Sequence, residues 1–506
     1  MPAPSRRLAI GLVVLALGTA ACGLKPTTYD SIKQANGGNL SGGNGNNGAG
    51  PGVGGTGGTG GTGGTGNNGG NVAGGSSGGG FTGGTGGTGG SGGFTGGTGG
   101  TGGTGGTGGT GGTVGTGPRP ACSPPTGGDT TGISATNIAI GVHAPISGTG
   151  TPFPNNSFIA GAQVFWKTHK VCGRTVTVDV LDDTYKPDGA HAVCQQMVKN
   201  HFMIIGAGGT DQIQACATDS KIQAAQAPYL SAGVTTNGLT KLNNYFALSL
   251  TYEQQGDLVV QNAESLNVAK PAAATTGKQW AIVTAKGPNF EGARQGIFAA
   301  LKKKNISYDD IQIDQSGDYQ AAATQQGNDL ALKGYKTIFV DLAPGYFVFM
   351  AGGFYQSGSG ATWVGPGVTF TEVTVAQYLC TSTQNRISGH AYFLSPSTGI
   401  DKASAEFKAA YSQKYDDINW ALWGLSEGLY GLLLNASDNL TRENFIAKTK
   451  TARLSTADYP PLDFAKGGGH FGGTGAWSQK VDCNQTQPSQ NQPGSWVTSS
   501  AAPYKI

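Results

Sequence analysis

The residues of this chain that could do chemistry are a few histidines, loop hydroxyls and acids, and a set of cysteines. His143, His169, His191, His201, His390 and His470 are scattered, no G-x-S-x-G elbow occurs, and nucleophile, base and acid never fall into one grouping. Ser147, in P-I-S-G-T-G, lacks an identifiable base and reads as a binding hydroxyl, so no enzyme activity is expected. Thr210 and Asp211 follow AGG at the start of a helix, where free backbone N–H groups suit a small polar ligand; Asp211 serves equally as a helix cap. The Gly206-Ala207-Gly208 start resembles a dinucleotide fingerprint, but Asp211 occupies the third glycine position and no ribose-binding acid follows. No cofactor is expected.

The cysteines are Cys22, Cys122, Cys172, Cys194, Cys216, Cys380 and Cys483. With Cys22 set aside, an even number remains, which in an exported chain points to disulfides. Connectivity is open, although Cys194 with Cys216 would staple neighbouring helices and Cys380 with Cys483 would tie the C-terminal segment to the core. No C-x-x-C or close Cys/His grouping supports a metal site, and none is expected.

These residues are delivered and positioned by recognisable segments. Arg6 and Arg7 precede a short apolar run ending in LGTAAC, the layout of a secretory signal too short to span a membrane comfortably. It resembles a bacterial lipoprotein signal, with Thr19 where leucine is commonest; the resemblance implies cleavage after residue 21, lipidation of Cys22 and attachment to the outer face of the cytoplasmic membrane. Residues 22–121 hold most of the 90 glycines, in TGG repeats with almost nothing to bury. They read as a disordered tether that leaves the folded part free to swing in the cell envelope. Collagen is excluded, since a second glycine fills a position that the triple helix reserves for Pro-rich residues. A net charge of +3 over 506 residues gives no basic footprint for nucleic acid.

From residue 133 the chain alternates strands and helices. IAIGVHA, TVTVDVLDD, FMIIG and PYLSAG read as strands with helices or loops between them, and the plan restarts at KQWAIVTAKGPNFEGARQG, YKTIFVDLAPGY and ATWVGPGV. Two blocks of repeated βα units imply an α/β protein of two doubly wound lobes, with ligand bound at the carboxyl ends of the strands. A single helix is expected over 212–226, helices over 404–415 and 420–435, and a loose tail over 485–506, where Gln, Pro and Ser dominate.

The order of elements, with IGVHAPISGTG, VDVLDD, IIGAGGT, PYLSAGVT and AIVTAKGPNFEGARQG, resembles the type I periplasmic substrate-binding proteins of ABC transporters, nearest the leucine/isoleucine/valine-binding branch. The resemblance implies a type I periplasmic-binding-protein fold with three crossings between lobes, near Leu250, Gln377 and Ala457. Lobe 1 would comprise 133–250 and 378–456, and lobe 2 would comprise 251–377 and 457–484. It also implies a monomeric receptor, without catalysis, that closes on a small amino-acid-like, amide or carboxylate ligand and delivers it to an ABC-transporter permease. A surface-tethered sensor or adhesion protein on the same fold is the alternative. Carried over residue by residue, the family's site falls on Ser147, Gly148, Phe153, Thr210, Gly233, Thr235, Asn289, Phe290 and Tyr346, beside Asp211. Where amino-acid binders carry an acid for the ligand ammonium, this chain has Gly367, with Glu372 a few residues on.

Overall fold

A computed structural model describes residues 121–147, 155–315, 319–367 and 371–506. The signal segment, the tether, Cys22, Gly148 and Phe153 lie outside the described residues.

The alternating apolar residues of 137–182 do form paired strands. β1 (Asn137–Ala144), β2 (Thr175–Asp182), β3 (Met203–Gly206), β4 (Tyr229–Ser231) and β5 (Tyr245–Ala247) make a wholly parallel sheet in the order β2-β1-β3-β4-β5. Ile138 and Ile140 in β1 are fully buried. One side of this sheet is covered by the helices Asn155–Gln163 and Asp417–Asn435, the second of which is buried along most of its length. On the other side lie Pro187–Met197 and Thr210–Ala217. The helix expected over 212–226 is two, because the Asp219 carboxylate accepts from the Lys221 amide and starts a new helix, Ser220–Ala224.

The second sheet combines β6 (Trp280–Ala285), β7 (Tyr308–Ile313), β8 (Thr337–Asp341), β9 (Thr362–Pro366), β10 (Ala391–Ser395), β13 (Gly475–Thr486) and β14 (Pro493–Thr498) in the order β14-β13-β10-β9-β8-β6-β7. β15 (Tyr504–Lys505) pairs with the start of β13. A separate antiparallel pair, β11 (Arg453–Leu454) and β12 (Leu462–Asp463), caps the first lobe. Strands β6 to β10 run parallel, and β13 and β14 are added antiparallel at one edge.

The chain passes to the second lobe after β5, at the capping box in which Thr251 and Gln254 start the helix Tyr252–Ser265. Two of the expected boundaries move. AYFLS, 391–395, is β10 and pairs with β9 and β13, so the chain returns to the first lobe after Ser395 rather than near Gln377. Phe471 still bridges to Ala247 of β5 and is buried in the first lobe's core, so the last crossing follows it rather than Ala457. The expected loose tail is ordered as β14 and β15, because Trp496 gives an otherwise polar segment a fully buried anchor.

The six described cysteines are joined as Cys122–Cys172, Cys194–Cys216 and Cys380–Cys483. The first ties the segment before β1 to the turn before β2, the second joins two helices, and the third joins helix Val373–Ser382 to β13.

Where helix Tyr252–Ser265 crosses helix Pro288–Lys303, glycine meets glycine: a Cβ on Gly256 would lie 2.3 Å from the carbonyl carbon of Gly296. Backbone has no rotamer with which to retreat, so Gly256→Ala should cost at least the 1–3 kcal/mol typical of overpacking, about that much or more. Urea unfolding measures it, and an unchanged midpoint would show that the helices separate freely.

Candidate functional site

The parallel strands of both sheets end on one cavity. In the first lobe, β3 runs into Ala207-Gly208-Gly209 and the helix Thr210–Ala217, whose first-turn amides have no side-chain cap. In the second, β6 and β8 end at Ala285 and Asp341. Between them is a cavity of about 340 Å³ whose walls include Tyr185, Thr210 and Asp211 from the first lobe and Tyr252, Phe290 and Asp341 from the second. Two hydrogen bonds bridge the lobes here. Asn289 Nδ2 donates to Asp211 Oδ1 in a short contact, and the Thr210 and Tyr252 hydroxyls lie 2.9 Å apart. The described cleft is therefore closed by its own side chains.

Asp341 is the acidic end of an apolar strand, TIFVD. It is 4% exposed, its Oδ2 has no hydrogen-bond partner, and burial pushes its carboxyl up to about 8. The Tyr252 phenol is raised well above its ordinary value, first by burial and next by the nearby Asp341 carboxylate. Burial likewise raises Tyr185. A carboxyl without a protein partner at this depth needs a donor from water or ligand.

A second, smaller space of about 60 Å³ shares Gly209 with the first. Phe158, Ala207, Ile418 and Leu422 make it mostly apolar, while Glu372, Asp417 and Gln479 reach its wall. Both oxygens of Asp417 are occupied: Oδ1 accepts from the Val373 amide at 2.9 Å and Oδ2 from Gln487 Nε2 at 2.8 Å. Glu372 Oε2 and Gln479 Oε1 have no partner, although Gln479 Nε2 donates to the Ser397 carbonyl at 2.9 Å. Burial, then Asp417 and Asp416, raise the Glu372 carboxyl well above its usual range.

Of the residues expected in the site, Thr210, Asp211 and Phe290 line the larger cavity, and Asn289 reaches it through Asp211. Others face elsewhere. Ser147 hydrogen-bonds Asp182 through its hydroxyl and its amide, which is turn chemistry. Thr235 is fully buried with its hydroxyl 2.5 Å from that of Tyr245. Gly233 accepts from the hydroxyls of Ser231 and Ser249, and Tyr346 is packed in the second core. Sequence reasoning missed Tyr185, Tyr252, Lys286, Asp341 and Gln479. Only Asp341 carried a signal, as an acid at the carboxyl end of a buried strand.

His143 and the sulfurs of Cys194 and Cys216 lie within 4.8 Å of one another. The sulfurs are joined as a disulfide and the imidazole contacts Asp183 at 2.8 Å and Tyr229 at 2.7 Å, so this cluster offers a metal no thiolate and no free nitrogen.

No curated protein sequence matches this chain. Among solved structures, a fatty acid ABC transporter substrate-binding protein from Thermomonospora curvata is 17% identical, with a TM-score of 0.60 over 76% of this chain and 96% of that one. The branched-chain amino acid transporter substrate binding protein LivJ from Streptococcus pneumoniae, in complex with isoleucine, is 16% identical, with a TM-score of 0.53 over 72% and 100%. A solute binding protein of an ABC transporter from R. palustris, in complex with 4-hydroxybenzoate, is 17% identical, with a TM-score of 0.57 over 73% and 97%. These likenesses show the fold. A family model described as periplasmic binding protein matches residues 137–486, most of the chain, and the protein belongs to that family.

Proposed function

We propose that the protein is an extracytoplasmic solute-binding receptor that captures a small polar organic ligand by closure of its two lobes and delivers it to an ABC-transporter permease. The observation that carries this reading is the cavity of about 340 Å³ between the lobes, which unites the helix N-terminus at Thr210 with the ends of β6 and β8. A ligand that touches both walls favours the closed state in proportion to the contacts it makes only there. The relatives named above are described with isoleucine, with 4-hydroxybenzoate, or as fatty acid transport proteins, so ligand chemistry varies on this fold. The reading includes a lipid at Cys22 that holds the receptor beside its permease.

Melting of the full-length protein against amino acids, amines, amides, carboxylates and sugars tests it. A ligand at a hundred times its Kd adds about 2.7 kcal/mol, a visible shift. No response to any class, in protein free of copurified ligand, overturns the receptor reading. For any ligand that does bind, Asn289→Ala should weaken affinity about tenfold, because it removes a hydrogen bond to the carboxylate of Asp211 that exists only when the lobes meet. Equal affinity in titration calorimetry would show that this contact does not hold the closed state.

A further inference from the structure

We propose that the lobes close by taking up a proton. Glu372 of the second lobe and Asp417 of the first are buried against one small space whose described walls present no base, and the proton that Glu372 carries there returns to solvent when the lobes part. This goes beyond the receptor reading and holds for any ligand, since it needs only that the lobes move.

The pair straddles the lobe boundary. Glu372 stands immediately before the second-lobe helix Val373–Ser382, and Asp417 opens the first-lobe helix Asp417–Asn435. The acid of the first lobe is held by donors of the second. Asp417 accepts from the Val373 amide at 2.9 Å and from Gln487 Nε2 at 2.8 Å, and its neighbour Asp416 accepts from Ser489 Oγ at 3.2 Å. Each of these bonds crosses between the lobes, so parting them here breaks all three. Glu372 Oε2 has no such donor. The space the two acids share, about 60 Å³ and walled largely by Phe158, Ile418 and Leu422, is too small and apolar to hydrate two carboxylates as open water would. Because Asp417 has the N–H donors, Glu372 is the member that keeps a proton. Gln479 Oε1, unpartnered on the same wall in a side chain 2% exposed, is an acceptor that suits a protonated carboxyl and not an ionised one. Burial, then Asp417 and Asp416, hold the Glu372 carboxyl well above its usual range, in keeping with this assignment.

Water reaches both acids once the lobes part, and Glu372 returns toward the ordinary glutamate value near about 4.3. The closed form therefore binds more protons than the open form, and raising the pH from about 5 to about 8 favours opening. The other titratable groups facing the pair are Asp416, Tyr185 beside Glu372, Tyr411 beside Asp416, and Tyr459 on the wall of the space. Burial raises all three tyrosines, so they stay neutral throughout this window. Asp341 titrates within it but faces the larger cavity, which makes it the control.

Distances between two nitroxide labels, read by pulsed electron paramagnetic resonance in ligand-free full-length protein, provide the test. The labels are carried on ketone-bearing side chains at Lys186 and Gln312, exposed positions close to cavity-lining residues of the first and second lobes. The ratio of open to closed protein should rise at least tenfold from pH 5.5 to pH 8, with cooperative melting retained at both. Glu372→Gln, which keeps the shape of the neutral acid, should remove most of that rise, and Asp341→Asn should leave it. A ratio that does not move with pH in the natural protein overturns the proposal without any variant, so the test stands even if Glu372→Gln does not fold. A rise that Glu372→Gln leaves unchanged, or that Asp341→Asn removes, overturns it as well. None of these results touches the receptor reading, which the ligand panel tests separately.

Discussion

The free energy of unfolding should fall as the pH is raised from about 5 to about 8, by about 3 kcal/mol or more. Burial holds the carboxyls of Asp341 and Asp417 up to about 8, with Asp416 adding to the effect at Asp417. Burial also raises Glu372 and Asp458 well above the carboxylate range, helped by Asp417 at the first and Glu427 at the second. The unfolded chain releases these protons near pH 4, so between about 4 and 8 the folded protein holds more of them and each rise in pH favours unfolding. One pKa unit is about 1.4 kcal/mol, so a single such group could contribute more than the expected total, and relaxation around the ionised carboxyl reduces that figure. A second set acts oppositely below this window. At Asp129 and Asp182 burial is outweighed by hydrogen bonds, from Thr131 and Arg442 to the first and from Ser147 to the second, so both are depressed. Their contribution is present above about pH 4 and is lost as pH falls through their depressed values. Stability should therefore peak just above that point. Urea midpoints at a series of pH values measure the profile, and Asp458→Asn, which removes one buried ionisable carboxyl beside Glu427, should make its upper limb shallower. A flat or rising limb from pH 5 to 8 would mean that these carboxyls are ionised in the folded protein at no cost.

The lobes were legible because parallel strands buried on both faces are near-continuous apolar runs, as in FMIIG, AIVTA and TIFV, and because the half-exposed edge strand TVTVDV alternates polar with apolar residues. The second and third crossings were less legible. AYFLS is short and begins and ends with small residues, so it gave no stronger signal than a loop, and only its pairing with β9 and β13 assigns it to the second sheet. In the cavity, a hydroxyl in a loop announces hydrogen bonding but not its direction. Thr210 and Thr235 occupy equivalent kinds of loop, yet one faces the cleft and Tyr252 while the other is turned inward onto Tyr245. Tyr252 stands opposite Thr210 because the capping box at Thr251 starts its helix there, a distance of 42 residues along the chain. Gln479 comes from a strand added antiparallel near the end of the chain, and nothing local marks it as part of a wall.

Removal of residues 485–506 should abolish folding of the second lobe, and Trp496→Ala alone should cost about 3–5 kcal/mol. The segment has a tail's composition, but β14 carries Trp496 into the second core, fully buried, with its ring edge-on to Phe393 at 5.6 Å and its Nε1 donating to the Glu372 carbonyl at 3.0 Å. Its neighbours extend the effect from the lobe to the hinge. Thr498 Oγ1 accepts from the Gly399 amide at 2.8 Å, at the second crossing, and the Thr498 amide donates to Asp401 at the same distance. Just before β14, Gln487 donates to Asp417 Oδ2 and accepts from the Asp417 amide, so it links the added strands to the first residue of the long first-lobe helix. Truncation would thus expose the edge of β13, open the core around Phe393 and leave the buried carboxyl of Asp417 short of a donor, three losses of different kind in one deletion. Circular dichroism melting of the truncated and substituted proteins separates them. Trp496→Ala should melt cooperatively at a lower temperature, whereas the truncation should show no cooperative transition for the second lobe. A truncated protein that melts like the full-length one would return these residues to the status of a tail. It would also mean that Gln487 and Thr498 contribute nothing to holding the lobes at their second crossing.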